Sequence, residues 1–310
     1  MAGPGNLIQA VGSPRRPAAL RALCVLALWQ CESHASEFGG SNYVPGFYGD
    51  FYMAVLGQAG VYLNNFMGYY HAAGGGDSSD MLLDMPGLIG VTDYRVLGAR
   101  YALALFPAAM YSNYRTGATA ARPGRFTEQA GAGDMYVVPL ALSWQGPGWS
   151  VLAFQAVVPP SGNYSARRDL NLGRNTWSFD SNVSVTWMFD QDTYEISANL
   201  GVMANTQNAD TDYRTGTEFH FDYLLGYHFS PAWALGVAGS YYAQTASDSG
   251  QGVPPFVVDG AFATLGPAGM YTFKTGGGRE VTVSVKWLHE LGVNNHLSGD
   301  YLLVRTIFQF

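Results

Sequence analysis

Three ionisable residues, His220, Asp222 and His228, stand at even spacing within one stretch of alternating sequence. In a β-strand, residues separated by an even number lie on one face, so these three side chains would point to the same side of a sheet. Imidazole and carboxylate groups on one face can hold a metal ion or relay a proton. They can also form a plain hydrogen-bonded network, because buried polar groups pair with one another.

Motifs of common enzymes and nucleotide-binding proteins are absent from the sequence. It contains no G-x-S-x-G, no H-E-x-x-H and no glycine loop of the phosphate-binding type. The glycine triplets at 74–76 and 276–278 lie between predicted strands and indicate flexible turns. We therefore predict no catalytic residue, no metal and no cofactor. The alternative is a hydrolase that uses His220, Asp222 or a loop serine.

The stretch around His220 is one of twelve with the period-two alternation of β-strands. In the last one, residues 301–310, an apolar set suited to lipid alternates with a set that carries Arg305 and Gln309. Most of the twelve have the length of a tilted strand that crosses a bilayer. Their approximate limits are 60–71, 84–95, 99–113, 133–145, 149–159, 176–189, 193–206, 216–229, 232–245, 259–273, 280–291 and 300–310.

The connections between these strands alternate between short and long. Bacterial outer-membrane barrels have short periplasmic turns and long external loops. We therefore predict an all-β fold, a transmembrane antiparallel up-and-down β-barrel of about twelve strands over residues 59–310. The even strand count predicts that both chain ends lie on the periplasmic side. The long connections are predicted at 72–83, 114–132, 160–175, 207–215, 246–258 and 292–299.

The composition agrees with a membrane barrel. Charged residues make up 13% of the chain, hydrophobic residues 48% and aromatic residues 14%. The longest apolar run, residues 22–29, is far shorter than the roughly 20 residues of a spanning helix. Low charge with dispersed apolar and aromatic residues is typical of transmembrane β-barrels.

Residues 1–35 have the pattern of a secretory signal peptide. Three arginines precede the apolar run, and residues 33–35 fit a small-x-small cleavage site. Cys24 and Cys31 lie before that site, so the exported chain would have no disulfide. Cleavage would remove three of 16 basic and one of 23 acidic residues, leaving 13 and 22, a balance that disfavours nucleic acid. We predict export to the cell outer membrane of a Gram-negative bacterium.

Residues 36–58 precede the first strand and are punctuated by glycine and proline, so they form no regular element. Their many aromatic side chains need a partner away from water. We predict a plug that narrows the lumen, with the alternative that the segment packs on the lower rim of the barrel. The constricting residues would be Tyr43, Phe47, Tyr48 and Phe51.

Charged and imidazole side chains recur on the predicted inward faces of the strands. They could line a pore and select solutes, or they could fill a narrow barrel with a salt-bridged network. The predicted lumen-lining residues are Glu195, Glu218, His220, Asp222, His228, Lys286, Glu290 and Arg305.

Pro107 and Pro139 lie in the middle of the third and fourth predicted strands. Proline has no N–H and interrupts the pairing of strands. Because these strands are antiparallel neighbours, we predict that the two prolines lie side by side and form a lateral opening in the wall. The alternative is an intact wall in which each missing donor points where no bond is needed.

Several stretches carry a resemblance to a known family. S-N-Y-V-P-G-F-Y-G-D-F (41–51) and N-L-G-R-N-T-W-S-F-D (171–180) are the most specific, and three further stretches are similar, at 91–101, 211–223 and 286–290. The sequence resembles the proteins of the meta-pathway of phenol degradation. This resemblance implies an outer-membrane barrel that passes hydrophobic or aromatic substrates inward.

The expected function is passive uptake of small hydrophobic or aromatic compounds through an outer-membrane channel. The alternatives are an outer-membrane hydrolase, and a structural or adhesive barrel without an open path. The expected partners are outer-membrane lipid and lipopolysaccharide, small apolar or aromatic solutes, and the barrel-assembly machinery, which would recognise the terminal Phe310.

Overall fold

The computed structural model describes residue 37 and residues 40–118, 123–254, 259–294 and 297–310. The predicted signal peptide, residues 1–35, lies outside the described residues. No helix in the described part of the chain is long and apolar enough to span a membrane. The strands are β1 (Gly60–Gly74), β2 (Asp77–Val96), β3 (Ala99–Thr116), β4 (Arg125–Gly146), β5 (Trp149–Val158), β6 (Ser178–Phe189), β7 (Tyr194–Asn205), β8 (Glu218–Ser230), β9 (Trp233–Gln244), β10 (Ala261–Lys274), β11 (Glu280–Asn294) and β12 (Ser298–Gln309).

The twelve strands form one closed antiparallel barrel. Each strand pairs with its neighbours in sequence, and β1 pairs with β12 to close the sheet. Closure leaves no edge strand, so the backbone of each strand has a partner strand on either side, as a barrel in lipid requires. The predicted fold class and strand number are confirmed.

Alternation along β6 shows how the sequence sets the two faces of the wall. Asp180 and Asn182 point into the lumen and are buried, whereas Phe179 and Val183 are exposed on the outside. Successive side chains of a strand point to opposite faces, so polar–apolar alternation gives a polar interior and an apolar exterior.

The two ends of the barrel differ in their connections. The end at which Phe310 N donates to Val61 O carries the short turns 97–98, 147–148, 190–193, 231–232 and 275–279. The other end carries the long connections 117–124, 159–177, 206–217 and 245–260. By this asymmetry the first is the periplasmic end and the second the outer end.

Two connections that were predicted to be long are short, and these two predictions are wrong. β1 and β2 meet in a hairpin at Gly75 and Gly76, which have φ of 60° and 93°, as a tight two-residue turn requires. β11 continues to Asn294 and β12 begins at Ser298. The strands extend past the apolar belt, where the alternation that reveals a strand in the sequence is no longer needed.

The amino-terminal segment, Glu37 and residues 40–58, runs through the lumen from the outer end to the periplasmic end. Glu37 contacts Asn208 in an outer loop, and the carbonyl of Gly57 accepts a hydrogen bond from Arg100 beside a periplasmic turn. The start of β1 is periplasmic as predicted, but the described chain before it begins at the outer end. The predicted periplasmic position of the amino-terminal end is therefore wrong. The even number of strands determines on which side β1 begins, but it does not determine the path of the segment that precedes β1.

Candidate functional site

The amino-terminal segment is tied to the outer loops through Glu37. Its carboxylate accepts hydrogen bonds from Asn208 Nδ2 at 3.0 Å and from Thr211 Oγ1 at 2.5 Å. Its backbone carbonyl accepts one from Arg174 Nη1 at 2.8 Å. The segment is thus tied to two different loops at the outer mouth of the lumen.

Deeper in the lumen, two tyrosines of the segment stack on His220. The ring centroids of Tyr43 and Tyr48 lie 4.3 Å and 5.5 Å from that of His220, both with an interplanar angle of 18°. His220 Nε2 is 2.9 Å from Asp180 Oδ1, and the Tyr48 hydroxyl donates to Asp180 Oδ2 at 2.8 Å. The imidazole is therefore enclosed between a carboxylate and two aromatic rings.

Asp222 holds a sharp bend of the segment. Gly46 N donates to Asp222 Oδ1 at 2.9 Å, and Asp222 Oδ2 is 3.9 Å from His220 Nδ1. Gly46 has a φ of 74°, and a Cβ at this position would come within 2.7 Å of Leu303 and 2.9 Å of Leu288. Glycine alone combines this backbone conformation with the close approach to the wall.

Asp50 of the segment lies in a buried ionic cluster with two cations of the wall. Lys286 Nζ and Arg305 Nε each lie 3.2 Å from Asp50 Oδ2. Lys286 also donates to the carbonyl of Gly49, and Arg305 to that of Phe47. Burial alone would raise the pKa of Asp50, but the charges of Lys286 and Arg305 outweigh it and lower that pKa. The cluster clamps the middle of the segment to β11 and β12.

A second polar contact holds the segment near the periplasmic end. Tyr52 N donates to Glu195 Oε1 at 2.6 Å, and His228 Nε2 is 2.8 Å from Glu195 Oε2. The Tyr52 hydroxyl lies 3.2 Å from His228 Nδ1. Partial burial, reinforced by the Glu195 carboxylate, raises the pKa of Tyr52 to about 12.

On β1 to β5, apolar and aromatic side chains of the wall surround Phe47. The Phe47 ring packs edge-on against Phe66 and Phe106, with centroids 4.9 Å and 5.6 Å apart, and lies 5.5 Å from Tyr136. Leu83, Met85, Val91, Val138, Ala156 and Val158 belong to the same buried cluster. Around Phe47 the segment thus lies between polar contacts on β6 to β8 and an apolar region on β1 to β5. The same buried cluster continues to Leu224, Leu288 and Leu303 on β8, β11 and β12.

The four predicted plug residues all lie in the lumen, and so do the eight predicted lumen-lining residues. Six of the eight contact the segment: Glu195, His220, Asp222, His228, Lys286 and Arg305. Glu218 instead accepts hydrogen bonds from Tyr242 and Asn205, and Glu290 from Tyr301 and Gly299. Those two carboxylates join neighbouring strands. A role of the set in choosing solutes stays a prediction.

The two prolines singled out from the sequence do not lie side by side. The pairing of Phe106 with Tyr136 and of Ala108 with Gly133 places Pro107 at one irregularity of the β3–β4 ladder. Pro139 lies at another, opposite Leu103. Four residues of β3 separate the two irregularities, about 13 Å at the usual rise of a strand. The predicted pairing is wrong because the two strands are offset at their periplasmic ends. Arg100 already pairs with Ser143, so even an uninterrupted ladder would place Pro107 opposite Tyr136, and each bulge shifts the register by only one residue.

The partner of Pro107 is instead Pro86 on β2. Backbone pairing between β2 and β3 stops at Asp84–Ala109 and resumes at Leu88–Leu105, and this register places Pro86 opposite Pro107. Neither residue has an N–H to donate. The wall therefore contains a short unpaired seam, the Pro86–Pro107 seam, directly outside the apolar side of the lumen.

The hydrolase alternative depends on the surroundings of His220. Its partners are carboxylates and aromatic rings, and no hydrogen bond among the described residues joins a serine hydroxyl to it. No group of three or more His, Cys, Asp or Glu residues in the described ranges is arranged to hold a metal ion.

Sequence reasoning missed Asp50 and Asp180. In the predicted strand 176–189, Asp180 belongs to the alternate set of residues that faces the lumen, so the sequence did indicate it. Asp50 lies in a segment without periodic alternation, so no pattern indicated it.

One solved structure shares the barrel fold over most of the chain. The chain is similar to an outer-membrane channel of the COG4313 group from Pseudomonas putida F1, with 16% identity and a TM-score of 0.64 over 87% of this chain and 100% of that one. It is also similar to the β-domain of the Bordetella autotransporter BrkA, with 11% identity and a TM-score of 0.47 over 81% and 99% of the two chains. The porin NanC matches with 11% identity and a TM-score of 0.42 over 80% and 100%.

Among curated proteins, none matches this sequence. The family resemblance seen in the sequence is confirmed by a family model that matches residues 40–306, nearly the whole barrel and the amino-terminal segment. The chain belongs to the family described as "Putative MetA-pathway of phenol degradation".

Proposed function

We propose that this chain is an outer-membrane channel for the passive uptake of small hydrophobic or aromatic compounds. The observation that carries the proposal is the divided lumen. The amino-terminal segment crosses the lumen and is held there by non-covalent contacts, with Phe47 in an apolar, aromatic cluster on one side and polar contacts on the other. Displacing Phe47 would open an apolar path beside a wall that stays polar and hydrated.

The same division supports selection of apolar solutes. A flat apolar molecule could replace the Phe47 ring between Phe66, Phe106 and Tyr136 and keep the edge-on aromatic contacts of that cluster. A sugar in the same place would lose most of its hydrogen bonds to water, because the Phe47 cluster offers few polar partners, the Tyr136 hydroxyl among them. We therefore expect the path to select solutes mainly by their hydrophobicity and less by their size.

The Pro86–Pro107 seam offers a sideways exit from this path. Gly87 lies beside it, and the ring of Phe106 occupies the space that a Cβ at Gly87 would need. Movement of the Phe106 side chain would uncover the unpaired seam from the lumen. An apolar solute could then enter the bilayer without crossing the polar contacts at the periplasmic end.

The remaining expectations are part of the proposal. Residues 1–35 would act as a signal peptide, and Phe310, exposed at the periplasmic end, would be recognised by the assembly machinery. Arg167 and Arg168 are exposed in an outer loop, where they would meet lipopolysaccharide phosphates. The divided lumen favours a channel over both a hydrolase and a structural barrel.

The test compares three kinds of vesicle: protein-free, with the native chain, and with a variant that lacks residues 40–52. Pyrene transfer into vesicles that contain cyclodextrin reports the apolar path, and swelling in arabinose reports a polar path. We expect the native chain to accelerate the transfer of pyrene but not the entry of arabinose. The variant without residues 40–52 should accelerate both. Native vesicles that take up pyrene no faster than protein-free ones would refute the proposal.

A further inference from the structure

One cation of the wall, Arg305 on β12, contacts both an aromatic ring and a carboxylate of the amino-terminal segment. Its guanidinium carbon lies 5.6 Å from the centroid of the Phe47 ring and 5.5 Å from that of Phe66. A cation at this distance is attracted to the face of a ring. Arg305 Nε lies 3.2 Å from Asp50 Oδ2. The places that the Phe47 ring and the Asp50 carboxylate occupy are therefore next to each other.

The donors around Asp50 Oδ2 belong to the wall. Ser284 Oγ donates to this oxygen at 2.9 Å and Lys286 Nζ at 3.2 Å. Arg305 Nε is buried and makes no hydrogen bond among the described residues, although it lies within 3.2 Å of the same oxygen. The other oxygen of Asp50 accepts a hydrogen bond from Phe51 N, which restrains the orientation of the carboxylate. A carboxylate that is free of the chain has no such restraint and could use the remaining donor.

The aromatic side of the same place is formed by three rings of the wall. The rings of Phe66, Phe106 and Tyr136 surround Phe47 at centroid distances of 4.9, 5.6 and 5.5 Å. A planar ring in the place of Phe47 would keep these aromatic contacts. We give the name ring–cation site to these three rings together with Ser284, Lys286 and Arg305.

The charges of the ring–cation site leave room for one negative charge from a ligand. Lys286 and Arg305 face two carboxylates, Asp50 of the segment and Asp222 of β8, which the bend at Gly46 brings to the same cluster. If Asp50 moves away with the segment, two buried cations remain against one carboxylate. A buried charge without a partner is strongly unfavourable. A neutral solute would leave that imbalance, a monocarboxylate would remove it, and a dicarboxylate would reverse it.

We propose that the ring–cation site binds a small aromatic monocarboxylate, with the ring in the place of Phe47 and the carboxylate in the place of Asp50. The segment is then a built-in substitute for this ligand, and binding of the ligand releases the middle of the segment from the wall. A neutral aromatic solute competes with Phe47 alone, whereas an aromatic carboxylate competes with both contacts. This inference rests on the proposed function, which it deepens by naming a charged class of permeant.

The test measures equilibrium binding at neutral pH to the native chain in nanodiscs. Three probes share a phenyl ring: 3-phenylpropionate, its neutral amide, and phenylsuccinate, which carries a second carboxylate. We expect the monocarboxylate to bind roughly tenfold more tightly than the amide, as the pairing of one buried charge gives. Phenylsuccinate should bind no better than the amide. Hydrogen exchange of the backbone amides at 46–52 should become faster with 3-phenylpropionate and stay unchanged with the amide.

Asp50→Asn removes the competing carboxylate and keeps the size of the side chain. It should bind 3-phenylpropionate roughly tenfold more tightly than the native chain does, and the amide equally well. Adding Lys286→Met to Asp50→Asn should cancel this gain, because a cation is then lost with the carboxylate. Glu195→Gln is the matched control, since it removes another carboxylate that holds the segment but leaves Lys286 and Arg305 with Asp50. Its preference for the acid over the amide should equal that of the native chain.

Equal binding of the acid and the amide to the native chain would overturn the inference, and so would an Asp50→Asn variant that binds the acid no better than the native chain. An acid preference without faster hydrogen exchange in the segment would do the same, because the acid would then bind elsewhere. Pyrene is neutral, so its transfer into vesicles tests the channel independently. A failure of the ring–cation site and a failure of the proposed function can therefore be told apart.

Discussion

Lys286 on β11 and Asp50 on the amino-terminal segment form a buried ion pair, with 3.2 Å between Nζ and Oδ2. Their side chains are 1% and 5% exposed. A buried charge is tolerated when its partner is present and becomes strongly destabilising when the partner is removed. The pair therefore makes the wall and the segment depend on each other, although no covalent link joins them at this point.

Removal of one partner should cost more than removal of both. Asp50→Leu leaves Lys286 buried without its counter-charge, and we expect a loss of about 3–5 kcal/mol in the free energy of unfolding. Asp50→Leu combined with Lys286→Met should recover part of that loss. Denaturant titration of the folded barrel gives both values, with the exposed Asp93→Leu as control. Additive losses in the double variant would show that the two groups do not interact.

The ion pair also predicts how docking of the segment depends on pH. The pKa of Asp50 is lowered from its ordinary value of 3.8 by Lys286 and Arg305, with Asp222 as the nearby like charge. A lowered pKa contributes stability that is full above the unfolded value and is lost as pH falls through the folded value. Docking should therefore be unchanged from neutral pH down to 3.8 and weaken below it.

Planar-bilayer conductance against pH measures this. The native protein should gain conductance only on acidification below 3.8. Asp50→Asn cannot titrate at this position and should lack that acid step. A rise of native conductance between pH 5 and 7 would show that Asp50 is not the group whose protonation releases the segment.

The strands could be predicted because their signal is local. The alternation along β7 and β8 predicts from sequence alone that Glu195, His220 and Asp222 face the lumen, and all three are buried there. The face on which a side chain lies follows from that of its neighbours in the strand. The Gly75–Gly76 hairpin was misread for a related reason. A glycine triplet indicates a flexible turn as well as a tight one, and only the register of β1 and β2 decides between them.

The contacts of the candidate site could not be predicted from the sequence, because they depend on which distant residues the fold brings together. The contact of Asp50 with Lys286 joins residues more than two hundred positions apart, and its partner could have been any inward cation. The pairing of Pro107 with Pro86, and not with Pro139, follows from the registers of the β2–β3 and β3–β4 ladders. Long-range register and the path of an irregular segment are set by packing of the whole barrel.

The path of the segment through the lumen predicts accessibility from opposite sides. The exported chain should contain no other cysteine, so single thiols can be introduced at Ser41, near the outer mouth, and at Gln58, beside the periplasmic turns. A membrane-impermeant maleimide added to whole cells should label Ser41→Cys and not Gln58→Cys. After the outer membrane is opened, both should react. Labelling of Gln58→Cys alone in whole cells would reverse the orientation.

The Pro86–Pro107 seam predicts that apolar and polar transport can be separated by restoring backbone donors. Valine at both positions supplies an N–H to each strand and suits a lipid-facing site, so Pro86→Val with Pro107→Val should close the seam without loss of folded barrel. Pyrene transfer should fall several-fold if apolar solutes leave through the wall, whereas arabinose swelling of the variant without residues 40–52 should be unaffected. Pro139→Val is the matched control, since Pro139 lies in the same wall but four residues of β3 away from the seam. Equal pyrene transfer in the seam variant and the native chain would show that apolar solutes travel the full length of the lumen. If Pro139→Val loses as much pyrene transfer as the seam variant does, the substitutions stiffen the wall in general and there is no local exit.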